Sequence, residues 1–248
     1  MLYPSPGTRP WTKKGVRMQA AQGIAKGDVL QRIAGIGFIA GGIASLAANV
    51  IFPRAADPTI VAERLTVLGE NESLQRIALL VLIIAFWALF VGVVGVYRSL
   101  SSGTAAAWAR LGFYGVLGAT TLATVSLATG LATTSAAVDW VAAGATTGTT
   151  EYAIAAGLSA MVNSVFDVMV VGFWLGLMLV GVGMVLSDAY PKWLSWVLVV
   201  LSVVVVAIGA ARFFTDMTQT REIVFAIPAG LTSVWALVMG IWVTRKAW

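Results

Sequence analysis

Residues 166–187 read FDVMVVGFWLGLMLVGVGMVLS, an apolar run with one acidic residue, Asp167, near its start. About twenty apolar residues in helical form match a ~30 Å hydrocarbon core, and a helix satisfies its own backbone polar groups there. Outward from this stretch lie five more runs of the same kind, at about 33–52, 77–97, 109–130, 193–212 and 223–244. The predicted fold is all-α: a polytopic transmembrane helical bundle of six spans.

Composition agrees with lipid as the solvent. The chain is 59% hydrophobic and 11% charged, where a soluble domain carries about 25% charged residues. The whole length is used by one bundle, with a basic arm at 1–32 and a six-helix domain at 33–248. There is no His and no Cys. Thiol redox chemistry, disulfides, iron–sulfur ligation and the common zinc, haem and copper sites are thereby excluded. So are Ser-His-Asp and Cys-His nucleophiles and any histidine relay. Neither a Gly-rich phosphate loop nor a metal-ligand cluster is visible. The expectation is no catalytic residue, no metal, no cofactor and no enzyme.

Charge placement sets the expected orientation. One side collects eleven Lys and Arg with two acids, including Arg9, Lys13, Lys14, Arg17, Lys26 and Arg32. The other side collects five basic residues and eight acids. The positive-inside rule then places both termini in the cytoplasm and accounts for the basic pI without nucleic acid. The arm is expected to lie near anionic lipid headgroups, each close Lys or Arg contributing about 1 kcal/mol.

Two loops carry their own signals. Asp57-Pro58 reads as an N-cap and first helical residue, and Gly69 as a stop, for a short helix with Val61, Leu65 and Leu68 on one face. Asn71 is expected to cap the start of the second span. Segment 131–151 is rich in Ala, Thr and Gly and reads as a mobile loop, with Trp140 as a membrane-surface anchor. The apolar run before Asp188 nevertheless extends back to residue 152, about 54 Å if wholly helical.

The candidate functional residues start from Asp167. Ser159, Asn163 and Asp167 recur every four residues and share one helix face. Arg212 ends the fifth span at the matching level, so an Asp167–Arg212 pair supported by Asn163 is geometrically reasonable. An ionised group within a span calls for a functional hypothesis, here an outward-facing polar site, against the alternative of a structural tie. Gly37, Gly41 and Ser45 in the first span, with Gly172 and Gly176 in the fourth, form small-residue seams suited to close helix packing, within the chain or between subunits.

Three passages, Arg32-Ile33-Ala34-Gly35, Asn71-Glu72-Ser73-Leu74-Gln75-Arg76-Ile77 and Gly172 to Trp193, resemble the six-span bacterial and archaeal family called domain of unknown function 4386. The resemblance implies the six-helix architecture and a multi-pass prokaryotic plasma-membrane protein. It carries no activity and no residue role. The expected function is a structural or accessory component of a membrane assembly, as a homo-oligomer or beside another membrane subunit. The alternatives are a carrier or channel for a small solute using Asp167, and a protein acting on lipid or quinone through an apolar groove.

Overall fold

The computed structural model describes residues 28–100, 102–214 and 219–248, with the side chains of 219–223 outside that description. The arm expected at 1–32 therefore lies outside the described residues except at its end, where Val29 to Arg32 already belong to the first helix. Among the described residues there are seven helices and no strand: α1 (Val29–Ile51), α2 (Val61–Glu70), α3 (Glu72–Ser99), α4 (Gly103–Ala142), α5 (Thr150–Val185), α6 (Lys192–Arg212) and α7 (Gln219–Ala247). All but α2 are long and apolar enough to cross a membrane. Each long helix begins or ends beside its chain neighbour, and α7 returns to α1, so the six form a ring in the order α1, α3, α4, α5, α6, α7.

What faces outward is apolar. Ile36, Ile43, Leu80, Ile84, Leu111, Val200, Val203 and Leu231 are exposed on the flanks of the ring. Such a coat would be an aggregation hazard in water and is the natural surface in lipid. Lipid supplies no hydrophobic drive between helices, so close packing must hold them together. Glycine supplies it here. A Cβ on Gly112 would lie 2.6 Å from the Gly176 carbonyl oxygen, and one on Gly176 2.7 Å from the Val116 amide nitrogen. Gly37 meets the Ala88 carbonyl at 2.7 Å, and Gly240 meets that of Gly35 at 2.7 Å. These approaches join α4 to α5, α1 to α3 and α1 to α7.

Polar ties lock the end where α1 begins and α7 ends. Asp28 caps α1 by accepting from the Leu30 and Gln31 amides. Arg32 donates to the Ala247 carbonyl and lies over the Trp248 ring, 4.2 Å from its centroid. The Gln31 amide donates to the Gly95 carbonyl, and the Trp235 indole N–H to that of Leu194. Lys192 covers the end of α5 by donating to the carbonyls of Val185 and Ser187, where a cation is favoured by the helix dipole.

The opposite end departs from the expectations. Helix α4 runs for 40 residues and α5 for 36, so both rise well beyond a ~30 Å core. The Ala- and Thr-rich segment is helical through Ala142, because Ala favours helix and the hydroxyls bond back one turn. Thr133 and Thr134 donate to the Thr129 and Gly130 carbonyls. Trp140 is a core residue of this projection, 1% exposed, rather than a surface anchor. It packs with Leu65, Ala137 and Ala155 and donates to the Thr146 carbonyl. Helix α2 covers the projection with Leu65. Its start is also shifted: Asp57 accepts from the Thr59 amide and hydroxyl, which leaves Ile60 in the cap position without a side-chain bond. Asn71 occupies the N-cap position of α3 as expected, but without a side-chain cap bond. Its amide donates back to the Val67 carbonyl, closing α2.

Candidate functional site

Opposite the end where α1 begins and α7 ends, the ring encloses a cavity of about 410 Å³. Its wall on α3 is a single helical stripe: Gln75, Leu79, Leu82, Phe86 and Leu89. The facing stripe on α5 is Ser159, Asn163, Phe166, Met169 and Phe173. Steps of three and four residues keep each set on one helix face. Helices α1, α4 and α7 complete the wall with Asn49, Ser126, Phe225 and Thr232 among others, and α2 adds Arg64 and Leu68.

The two ends of this cavity differ. Toward the projecting hairpin lie Asn49, Arg64, Gln75, Ser159 and Asn163; deeper lie Phe86, Leu89, Met169, Phe173 and Trp174. The deep aromatic rings meet edge to face: Phe86 on Phe173 at 5.2 Å and Phe173 on Trp174 at 5.2 Å. Most polar groups have partners. Arg64 donates to the Ser159 hydroxyl at 2.8 Å, the Trp174 indole to Thr232 and Ser233 to Ser45. Gln75 does not. It is 6% exposed, and its Oε1 is buried with no hydrogen-bond partner. A buried acceptor left unpaired costs about 1–3 kcal/mol.

The sequence-derived polar stripe is divided by the structure. Ser159 and Asn163 line the cavity; Asp167 and Arg212 are not among its lining residues. Those two pair with each other across α5 and α6, Arg212 Nε 2.8 Å from Asp167 Oδ1, with the Arg side chain 8% and the Asp side chain 19% exposed. The N–H does not point along the contact, so it is an ion pair without a directed hydrogen bond. The guanidinium also sits 5.8 and 5.4 Å from the ring centroids of Phe166 and Phe225, within cation–π range. No hydrogen bond joins Asn163 to either member of the pair; it lines the cavity instead. Asp167 therefore has its charge matched by Arg212, and the pair stands apart from the cavity lining. Asp216, next to this region in sequence, lies outside the described residues.

The seam residues divide as well. Gly37, Gly41 and Gly176 press on neighbouring helices, whereas a Cβ on Gly172 would meet only Ala119 at an ordinary 3.6 Å. Ser45 turns away from α3 to bond Ser233 of α7 and to line the cavity. Sequence reasoning missed Arg64, Gln75 and the deep rings. The signal was present as the Gln75–Leu79–Leu82–Phe86–Leu89 periodicity, a polar residue heading an apolar stripe.

The fold and its cavity define a six-span helical membrane protein with a mostly apolar internal pocket, polar at one end. The chain belongs to the family described as Domain of unknown function (DUF4386), which matches over residues 33–247. No curated protein and no solved structure matches it.

Proposed function

We propose that this protein is a non-catalytic carrier that holds a small amphipathic molecule in the cavity between α1, α3, α4, α5 and α7. The observation that supports this most is the 410 Å³ hollow itself, apolar at depth and polar at one end. Its size falls in the range of about 300–1,000 Å³ typical of small-molecule pockets. The carrier reading thus moves from Asp167 to the cavity. The accessory-subunit reading rested on small-residue seams, missing catalytic residue types and sparse intramembrane charge; of these, the seam residues Gly37, Gly41 and Gly176 are occupied by contacts within the chain.

In the same proposal the protein resides in the cell membrane with both termini cytoplasmic, on the strength of the Lys and Arg bias. The cavity then belongs to the outer half of the bilayer. A cysteine placed at Asp188 should react with an impermeant maleimide only after the membrane is opened, and one at Asp139 in intact cells. The reverse pattern would invert the assignment.

Binding is tested with anthracene, a body without a polar head. The purified protein should take it up saturably, and Ala229→Phe, which fills the cavity wall, should abolish that uptake. Equal uptake by both proteins would sink the carrier reading.

A further inference from the structure

We infer that the molecule held in the cavity is a single-chain amphiphile with an uncharged hydroxyl head, of the monoacylglycerol type, seated head-first on Gln75. The inference rests on the carrier reading above and narrows it. Three observations lead there.

The first is Gln75. It stands in the first turn of α3, nine-tenths buried, on the cavity wall, with an unpartnered amide oxygen. A buried acceptor without a partner is rare in folded proteins and calls for a group that is absent from the protein itself. A hydroxyl both donates and accepts, so it satisfies Oε1 and also accepts from the amide NH₂ of Gln75 or Asn163. A carboxylate can only accept and would place its lone pairs against that oxygen.

The second is the charge of the lining. Among the described residues no Asp or Glu borders the cavity, and Arg64, the one Arg there, donates to Ser159. A cationic head would find no counter-charge among them.

The third is the division of the walls. Gln75 and Asn163 stand toward the projecting end of the cavity on α3 and α5, and Phe86, Met169, Phe173 and Trp174 lie about two to three turns further along the same helices toward the other end. This matches the alignment of a lipid in one leaflet, head at the interface and chain toward the midplane. A pocket of about 410 Å³ is near the lower end of the small-molecule range, which favours a single-chain occupant over a two-chain phospholipid.

The experiment compares monoolein, oleate and anthracene on the full chain in lipid nanodiscs, for wild type, Gln75→Leu and Gln75→Glu. Wild type should bind monoolein more tightly than oleate at neutral pH. Gln75→Leu should lose about tenfold in monoolein affinity, the scale of one hydrogen bond into a buried site, while anthracene binding is unchanged. Without ligand, Gln75→Leu should melt at a higher temperature than wild type, since it removes an unpaired amide; a structural glutamine would give the opposite shift. Gln75→Glu, which keeps an acceptor oxygen at that position, should bind monoolein more tightly than Gln75→Leu. Unaltered monoolein affinity in Gln75→Leu, or a preference of wild type for oleate, overturns the headgroup assignment and leaves the carrier reading standing. Failure of wild type to bind either monoolein or anthracene overturns both.

Discussion

The terminal end of the bundle, where α1 begins and α7 ends, and the end opposite are built from the same helices by different means. Near the terminal end, glycine faces backbone: Gly35 against Gly240, Gly183 against Ala105 and Ala109, Gly112 against Gly176 and Val180. Toward the other end the helices present Phe, Leu, Gln and Asn to one another and stand apart around a cavity. Close approach excludes space and wide side chains create it. One ring of helices can therefore be rigid at one end and hollow at the other while each helix stays continuous, α7 included, which carries Pro228 in its interior.

This contrast can be broken most forcefully at the seam. Gly112→Val places side-chain atoms where the Gly176 carbonyl and Val180 amide already lie. It should cost about 3 kcal/mol or prevent folding, read as loss of monodisperse protein or a lowered melting temperature. Gly230, with nothing within 4 Å of its absent Cβ, is the control: Gly230→Ala should be neutral or stabilise by up to about 1 kcal/mol through helix propensity.

The ion pair comes next. Arg212→Leu leaves Asp167 without its partner and should cost about 2–3 kcal/mol, below the 3–5 of fully buried pairs because Asp167 is partly exposed. The double variant with Asp167→Asn should recover most of that loss. A single variant as stable as wild type would show that the pair holds nothing together.

Smaller effects sharpen the picture at each end. In the projecting hairpin, Trp140→Phe removes the bond to the Thr146 carbonyl and should cost about 1 kcal/mol. At the terminal end, Tyr190 is buried and hydrogen-bonded to Ser99, and burial pushes its phenol above its ordinary value of 10.0. A raised folded value means the native state keeps its proton longer than the unfolded chain. The contribution is therefore full below pH about 10 and is lost as pH climbs through and past that value. Melting curves of wild type and Tyr190→Phe should converge on that alkaline limb. Least of all, the Thr59 hydroxyl and amide hold the Asp57 carboxyl below its ordinary 3.8. That stabilisation of the 57–60 turn is present above 3.8 and fades as pH falls below it. Asp57→Asn should flatten the acid limb of the melting profile only slightly.

Much of this architecture was legible in hydropathy, since run length and lipid thickness answer the same constraint. All six spans appear, and the Asp167–Arg212 contact follows from two helices of matched length joined by a short turn. Hydropathy registers apolar surface, however, and not helix itself. It therefore stopped α4 near residue 130, although Ala propensity and Thr back-bonding carry the helix to Ala142. It also set Asp167 above Gln75 in interest. A charge is conspicuous in sequence whether or not its partner is at hand. The unpaired state of Gln75 depends on what the other helices around the cavity place opposite it, which one helix's periodicity does not encode.

The account stands on the far end being open while the terminal end is closed, and the absence of native cysteine makes this directly measurable. Single cysteines at Asn163 and Ser126, on the cavity wall, and at Val116, in the glycine seam, would be timed against a small methanethiosulfonate reagent. Asn163→Cys and Ser126→Cys should react, more slowly once Ala229→Phe is added, and Val116→Cys should stay inert. Equal inertness at Ser126, Asn163 and Val116 would contradict the account, because both ends would then be packed alike.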